Sequence, residues 1–273
     1  MTILQQIVSE TRARLAGKSD RTYRAELEKL AAAHTPRGFR KRLVDAAQSV
    51  PAVIAELKKA SPSKGVIRSD FPVVELARAM EQAGAPALSV LTEEKRFQGS
   101  LENLQLASDN VSIPCLRKDF IVDELQMLEA RAFGGDAALL IIAALDDSEL
   151  KQLHGAAQAL HIDVLCEVHD ESELKRAIDV GFDIIGVNNR DLRTFQVTLE
   201  TSLRLSAKIP ENFLRVAESG IHTGADISRL RSAGFQAFLI GESLMKEPDP
   251  GAALRKLLAD ATREERRAEV ASR

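Results

Sequence analysis

Eight short apolar runs recur along the chain: Ala52–Lys58, Pro86–Thr92, Ile113–Lys118, Ala137–Ala143, Ile162–Val168, Asp183–Asn188, Phe213–Glu218 and Gln236–Gly241. Most are nearly unbroken in Val, Ile and Leu, the pattern of parallel strands buried on both faces. Between them, apolar spacings of three and four predict helices over Val73–Ala83, Glu124–Phe133, Asp146–Leu160, Glu171–Val180 and Gly224–Ala233. The joins repeat as well. Ala83-Gly84-Ala85-Pro86, Phe133-Gly134-Gly135-Asp136, Val180-Gly181-Phe182-Asp183 and Ala233-Gly234-Phe235-Gln236 each end a helix on glycine and open a strand. Glycine takes the left-handed conformation there without a Cβ penalty.

Eight strand-then-helix units with right-handed crossovers predict an α/β fold, a single closed (β/α)8 TIM barrel. The runner-up is a doubly wound open sheet, weakened because no Gly-x-Gly-x-x-Gly turn follows the first strand. The 273 residues suit one such barrel, which typically needs about 250. Within one domain, residues 1–50 read as an N-terminal helical extension packed on the barrel, 51–262 as the barrel and 263–273 as a charged tail that frays from a helix end. In the extension, Leu4, Ile7, Val8, Thr11 and Leu15 share a helical face, and Arg24–Ala33 forms a second helix. Alone it is too small for a core of its own.

Composition narrows the function. A net charge of −3, with Lys and Arg dispersed, argues against a general nucleic-acid binder, and 4% aromatic residues leave few stacking platforms. No apolar stretch approaches the roughly 20 residues that span a bilayer. Cys115 and Cys166 are the two cysteines, too few for a disulfide framework, and Met1–Glu10 resembles a helix start rather than a targeting segment. The expectation is a cytoplasmic protein.

Strand alternation then sorts the chemistry. Ile54, Glu56 and Lys58 share one face of the first strand, Pro114, Leu116 and Lys118 one face of the third, and Asp163, Leu165 and Glu167 one face of the fifth. Cys115 and Cys166 fall on the opposite faces and read as packing residues. For any single strand-end charge, a solvated rim position is an equal explanation. Four strands delivering Glu56 with Lys58, Lys118, Glu167 and Asn188 to one end favour a shared pocket of mutually perturbed groups.

Glu218-Ser219-Gly220-Ile221 and Gly241-Glu242-Ser243-Leu244-Met245 close the seventh and eighth strands, where barrels of this kind hold phosphate on backbone N–H groups. Arg190 in Asn188-Asn189-Arg190-Asp191 is suited to a carboxylate, while helix capping is an equal alternative for Asn189 and Asp191. His34, His154, His161, His169 and His222 lack metal-ligand spacing, so no metal is expected. His169 reads as a loop residue.

With these residues in view, the chain resembles indole-3-glycerol phosphate synthase. The likeness runs through Ala55-Glu56-Leu57-Lys58-Lys59-Ala60-Ser61-Pro62-Ser63, Leu91-Thr92-Glu93 with Phe97-Gln98-Gly99-Ser100, and Leu116-Arg117-Lys118-Asp119-Phe120. It continues through Cys166-Glu167-Val168-His169, Gly186-Val187-Asn188-Asn189-Arg190, Ala217-Glu218-Ser219-Gly220-Ile221 and Ile240-Gly241-Glu242-Ser243-Leu244-Met245. The resemblance implies a cofactor-free lyase of tryptophan biosynthesis. Its substrate would be 1-(2-carboxyphenylamino)-1-deoxyribulose 5-phosphate, an anthranilate-derived sugar phosphate that cyclises with loss of CO2 and water.

By resemblance, Lys118 is the general acid. Lys58 contacts the substrate carboxylate and assists, Glu167 stabilises the iminium charge or takes a proton, and Glu56, Asn188 and Glu218 complete the catalytic set. Ser61, Ser219, Gly220, Gly241 and Glu242 hold the phosphate, Phe97 and Phe120 wall the aryl ring, and Arg190 orients the carboxylate. Other tryptophan-pathway enzymes are the protein partners this would suggest, with no nucleic acid and no membrane. Two rivals share the architecture: a Schiff-base lyase or aldolase, and a non-catalytic sugar-phosphate sensor.

Overall fold

The computed structural model describes residues 2–17, 20–192 and 194–271; Met1 and the last two residues of the predicted tail lie outside them. Strands β1 (Ala52–Leu57), β2 (Ala87–Leu91), β3 (Cys115–Lys118), β4 (Ala137–Ile141), β5 (Asp163–Val168), β6 (Ile184–Asn188), β7 (Leu214–Glu218) and β8 (Ala237–Ile240) are parallel throughout, and β1 pairs with both β2 and β8. The sheet therefore closes on itself, which excludes the open doubly wound alternative. Helices α4 (Val73–Gln82), α5 (Leu101–Asp109), α6 (Glu124–Ala132), α7 (Asp147–Ala159), α8 (Glu171–Val180), α9 (Glu200–Ser206) and α10 (Gly224–Ser232) follow the first seven strands in turn. After β8 come the short α11 (Glu242–Met245) and the long α12 (Pro250–Ala271). No helix among the described residues is long and apolar enough to cross a membrane.

Two apolar layers follow from the strand alternation. Ile54, Leu116, Leu139, Leu165, Val216 and Leu239 fill the barrel interior. Val53, Leu88, Cys115, Leu140, Cys166 and Phe238 turn outward and pack beneath the helices. Both cysteines are buried in that outer layer, where desolvation pushes their thiols above the ordinary value, Cys115 to about 12. The four predicted helix-to-strand glycines, Gly84, Gly134, Gly181 and Gly234, all have positive φ.

The expected boundaries move slightly. The run Ala137–Ala143 leaves the sheet at Ile141 and tightens into a 3-10 turn over Ile142–Ala144. Past Leu57 the chain does not simply stop at proline: Ala60–Ser61 pairs antiparallel with Gly65–Val66 in a small ribbon. The Arg68 guanidinium donates to the carbonyls of Met245, Glu247 and Pro248, tying this loop to the one after β8. The charged tail continues α12 as helix to Ala271, with Arg231 paired to Glu265.

The extension comprises α1 (Ile3–Ala16), α2 (Arg21–Ala33) and α3 (Phe39–Ala47). Thr2 caps α1 with a reciprocal Thr2–Gln5 box, and Ile7, Thr11 and Leu15 are its buried stripe. Leu27 and Ala31 of α2 pack on Leu128 and Ala132 of α6. Phe39 and Leu43 of α3 are fully buried and join the interior layer beside Ala52 and Ala87, plugging the amino-terminal end of the barrel.

Asp136, just before β4, accepts from the side chain of Arg37 in the α2–α3 connection at 2.6 Å, the Arg37 backbone at 2.7 Å and the Cys115 backbone at 2.7 Å, and it lies 3.2 Å from His34 Nε2. Burial opposes the charge on Asp136, but these donors outweigh it and hold the carboxyl below its usual range. Asp136→Ala would leave Arg37 buried without its partner. It should lower the unfolding free energy by about 3–5 kcal/mol, read by urea denaturation at neutral pH. The contribution is complete above the unfolded-state pKa and fades as pH falls through the depressed folded value.

Candidate active site

At the carboxyl ends of the strands lies a cavity of about 510 Å³, lined by all fourteen side chains or backbones singled out from the sequence. The register explains why they meet. Glu167 on β5 is level with Ile141 on β4 and Gly186 on β6, and Glu218 on β7 is level with Asn188 on β6 and Leu239 on β8. Interior apolar side chains fill the layers below, so the charged groups occupy the last layer before the mouth.

The centre of the cluster is Lys118. Its Nζ lies 3.0 Å from Glu167 Oε2 and 3.3 Å from Glu218 Oε2. Burial disfavours the ammonium, but the charges of Glu167, Glu218 and Glu56 more than offset it and keep Lys118 protonated well above its ordinary range. The two carboxylates divide. For Glu167, desolvation is overcome by Lys118, His169 and Asn188, so it stays ionised below the usual carboxylate range. For Glu218, desolvation dominates; Lys118 pulls the other way, but the neighbouring Glu167 charge adds to the rise and the carboxyl is pushed up to about 8. Two acids with separated protonation states now share one amine, the arrangement acid/base catalysis requires.

Glu56 and Lys58 form their own pair, Nζ to Oε2 at 2.5 Å. Glycines make room for both inner acids. A Cβ at Gly241 would meet Glu56 Oε2 at 2.2 Å, and one at Gly186 would meet Glu218 Oε1 at the same distance. Asn188 donates from Nδ2 to Glu167 Oε1 at 3.0 Å and accepts at Oδ1 from the Arg190 backbone.

Toward β7 and β8 the surface changes character. Ser219 and Gly220 both have left-handed φ, and Gly241 precedes α11, whose first N–H groups have no intrahelical acceptor. The Ser61 hydroxyl, buried on the ribbon, has no hydrogen-bond partner. The Glu242 carboxylate lies among cations, 2.5 Å from Lys246, 3.7 Å from Arg190 and 4.0 Å from Lys64. It helps gather positive charge at this end of the cavity. On the opposite wall, Phe97 and Phe120 lie with ring centroids 6.1 Å apart at a 44° tilt.

Further residues line the cavity. Ile3, Leu4 and Ile7 bring α1 over the cavity, and Glu10 of the same helix bonds Lys95 and Arg96 in the loop that carries Phe97. Lys64, Phe195 and Lys246 also line it. His169 is not a bystander in a loop: its Nε2 lies 3.4 Å from Glu167 Oε1 and its Nδ1 3.0 Å from Glu173 Oε2. The i, i+4 spacing of His169 and Glu173 was the readable signal. Asn189 is a positioning residue, bonding the Ser219 carbonyl and the Ser202 amide, and Asp191 accepts from the Thr194 amide. Among the described residues no group of His, Cys, Asp and Glu is arranged to hold a metal ion.

A family model described as indole-3-glycerol phosphate synthase matches residues 4–257. The chain belongs to the indole-3-glycerol phosphate synthase family. Members of the family named for this activity include one from Koribacter versatilis (strain Ellin345), 60% identical over 255 residues and covering 93% of this chain and 98% of the relative. Another, from Polaromonas naphthalenivorans (strain CJ2), is 50% identical over 210 residues, covering 77% and 80%. Among solved structures, KGPDC from Streptococcus mutans superposes with a TM-score of 0.61 at 12% identity over 79% of this chain and 99% of that one. A mandelate oxidase does so with a TM-score of 0.57 at 17% identity over 79% and 73%. At such identities these two share the fold alone. Membership of the synthase family makes this protein a carboxy-lyase of tryptophan biosynthesis that acts on a small phosphate substrate.

Proposed function

We propose that the cavity converts 1-(2-carboxyphenylamino)-1-deoxyribulose 5-phosphate to indole-3-glycerol phosphate by general acid/base catalysis. The observation that carries this reading is Lys118, an ammonium held between Glu167 and Glu218 and facing the cavity. Lys118 protonates the ketone oxygen as the ring carbon bearing the carboxylate attacks. Lys58 meets that carboxylate until it leaves as CO2, with Arg190 helping to orient it. Glu167, ionised, stabilises the iminium charge and then takes the proton released as the indole ring becomes aromatic. Glu56 holds Lys58, Asn188 holds Glu167, and Glu218 supplies a second carboxyl against Lys118. The phosphate rests on Ser61 and the backbone of Ser219, Gly220, Gly241 and Glu242, and the aryl ring lies against Phe97 and Phe120. Positioned proton transfer of this kind contributes about 10²–10⁴-fold in rate.

A Schiff-base lyase is disfavoured because its lysine must attack as a neutral amine, whereas Lys118 is surrounded by acids that keep it charged. A sensor that only binds phosphate has no use for Glu56, Glu167 and Glu218. Incubation with the carboxyphenylamino-deoxyribulose phosphate and no added cofactor should give a rise in indole fluorescence. Borohydride added during turnover should trap no covalent adduct. A trapped adduct, or no indole product, would overturn the proposal.

A further inference from the structure

Lys118 sits at the less supported end of a short strand. β3 has four residues, and on the β4 side its ladder ends with Leu116 opposite Ala137 and Arg117 opposite Ala138. Toward β2 the pairing runs one residue further, with Lys118 level with Leu91 and its carbonyl accepting from the Thr92 amide at 3.1 Å. Beyond Arg117, β4 gives the chain no further register partner. A lysine side chain is a flexible stem with a compact charge at its tip, so the place of its ammonium depends on how firmly its Cα is held.

The residues on either side of Lys118 supply a second hold. The side chains of Arg117 and Asp119 meet behind it, Nη2 to Oδ2 at 2.8 Å, while Lys118 points into the cavity. The Thr92 hydroxyl donates to the same Asp119 oxygen at 2.7 Å and accepts from Arg117 Nε at 3.2 Å, which closes a clasp of three residues. Arg117 Nη1 reaches α6, donating to the Gln126 carbonyl at 2.6 Å and to Glu129 Oε2 at 3.1 Å. Past Lys118, Asp119 Oδ1 accepts from the Phe120 amide, and the Gln126 side chain accepts from the Val122 amide and donates to the Phe120 carbonyl. Arg117, Asp119, Glu129 and Thr92 are all buried. Buried ions are a poor source of stability, since apolar residues of equal volume often serve as well. What the guanidinium supplies is direction, as a rigid fork on fixed partners. Asp119 borders the cavity, whereas neither Arg117 nor Thr92 lines it.

Resting on the reading of Lys118 as the general acid, we propose that Arg117 and Thr92, closed on Asp119, are positioning residues for that acid. The clasp fixes the Lys118 backbone from behind, so that the ammonium is delivered between Glu167 Oε2 at 3.0 Å and Glu218 Oε2 at 3.3 Å. Released from it, the lysine would keep its charge and its acidic neighbours, but Nζ would spread over several positions. Misplacing a reacting group by about 1 Å costs up to about 10²-fold in rate. The constraint continues into the extension, because Glu129 also accepts from the Tyr23 hydroxyl of α2 at 2.9 Å.

Arg117→Met would strip buried Asp119 and Glu129 of their cation and so tests folding as much as positioning. Thr92→Val keeps the shape and every charge and removes only the hydroxyl. Its kcat should fall about 10-fold with KM within about 2-fold of wild type, at an unchanged circular dichroism spectrum. Thr92→Ser returns the hydroxyl and should restore most of the rate. Arg117→Lys keeps the charge but cannot span Thr92, Asp119 and Glu129 together, and it should be slow in the same way. In a Lys118→Met background, Thr92→Val should cost almost nothing more, because the group it positions is gone. Wild-type kcat in folded Thr92→Val and Arg117→Lys would overturn the positioning role while leaving the reaction intact. So would a Thr92→Ser as slow as Thr92→Val, or an equal loss from Thr92→Val with and without Lys118. Wild-type protein that makes no indole product, or Lys118→Met at full rate, would instead remove the reading on which the proposal rests.

Discussion

Lys118→Met should lower kcat by about 10²–10⁴-fold, the span expected for removal of a positioned general acid. The variant keeps much of the side-chain volume but takes the cation from between two buried carboxylates. Glu167 and Glu218 then face one another without a counter-charge, and the least costly response is for one to take up a proton. That relaxation should preserve the fold, and the proposed phosphate seat lies on other residues, so indole-3-glycerol phosphate should still bind within a few fold of wild type. Single-turnover fluorescence gives the chemical step, and product titration gives the binding. An unchanged rate in this variant would remove Lys118 from the acid role.

Glu167→Gln is the second large effect. The amide keeps the shape and can still contact Asn188, but it cannot take a proton from carbon and carries no charge against an iminium. The expected loss in kcat is again on the order of 10²-fold or more, with KM much less affected. Losing this charge also relieves Glu218 of the repulsion that helps raise its pKa, so Glu218 should ionise at lower pH in the variant. Titration of Glu218 by carbonyl-stretch infrared spectroscopy would show this. A normal turnover rate would reduce Glu167 to a rim charge.

Much of this was legible in the chain. Alternation placed Glu56, Lys118 and Glu167 inward and Cys115 and Cys166 outward, because a closed barrel allows a strand side chain only two directions. The helix-ending glycines were equally direct, since a positive φ leaves few substitutes for glycine. What escaped notice had weak local signals. α5 and α9 are short and owe their existence to the strands they cover, and α3 could be recognised as a plug only once a barrel end existed for Phe39 to fill.

Arg117 shows a different limit. It lies on the apolar side of β3, almost wholly buried, and bonds Asp119 at 2.8 Å and Glu129 at 3.1 Å. The Tyr23 hydroxyl of α2 donates to Glu129, joining the extension to the strand that carries Lys118. A charge among outward-facing residues was visible in the sequence, but its partners come from three separate segments and no spacing rule joins them. Lys64 and Lys246 were hidden for the same reason, since a ribbon and the loop after β8 bring them together.

The glycines beside Glu56 and Glu218 carry a lesson for altering such a catalyst. Each inner acid occupies a berth that the adjoining stave leaves bare, so side-chain bulk at positions 186 and 241 and negative charge at 218 and 56 are alternatives at one location. A designer who wished to move an acid elsewhere around this ring would first have to hollow out its neighbour.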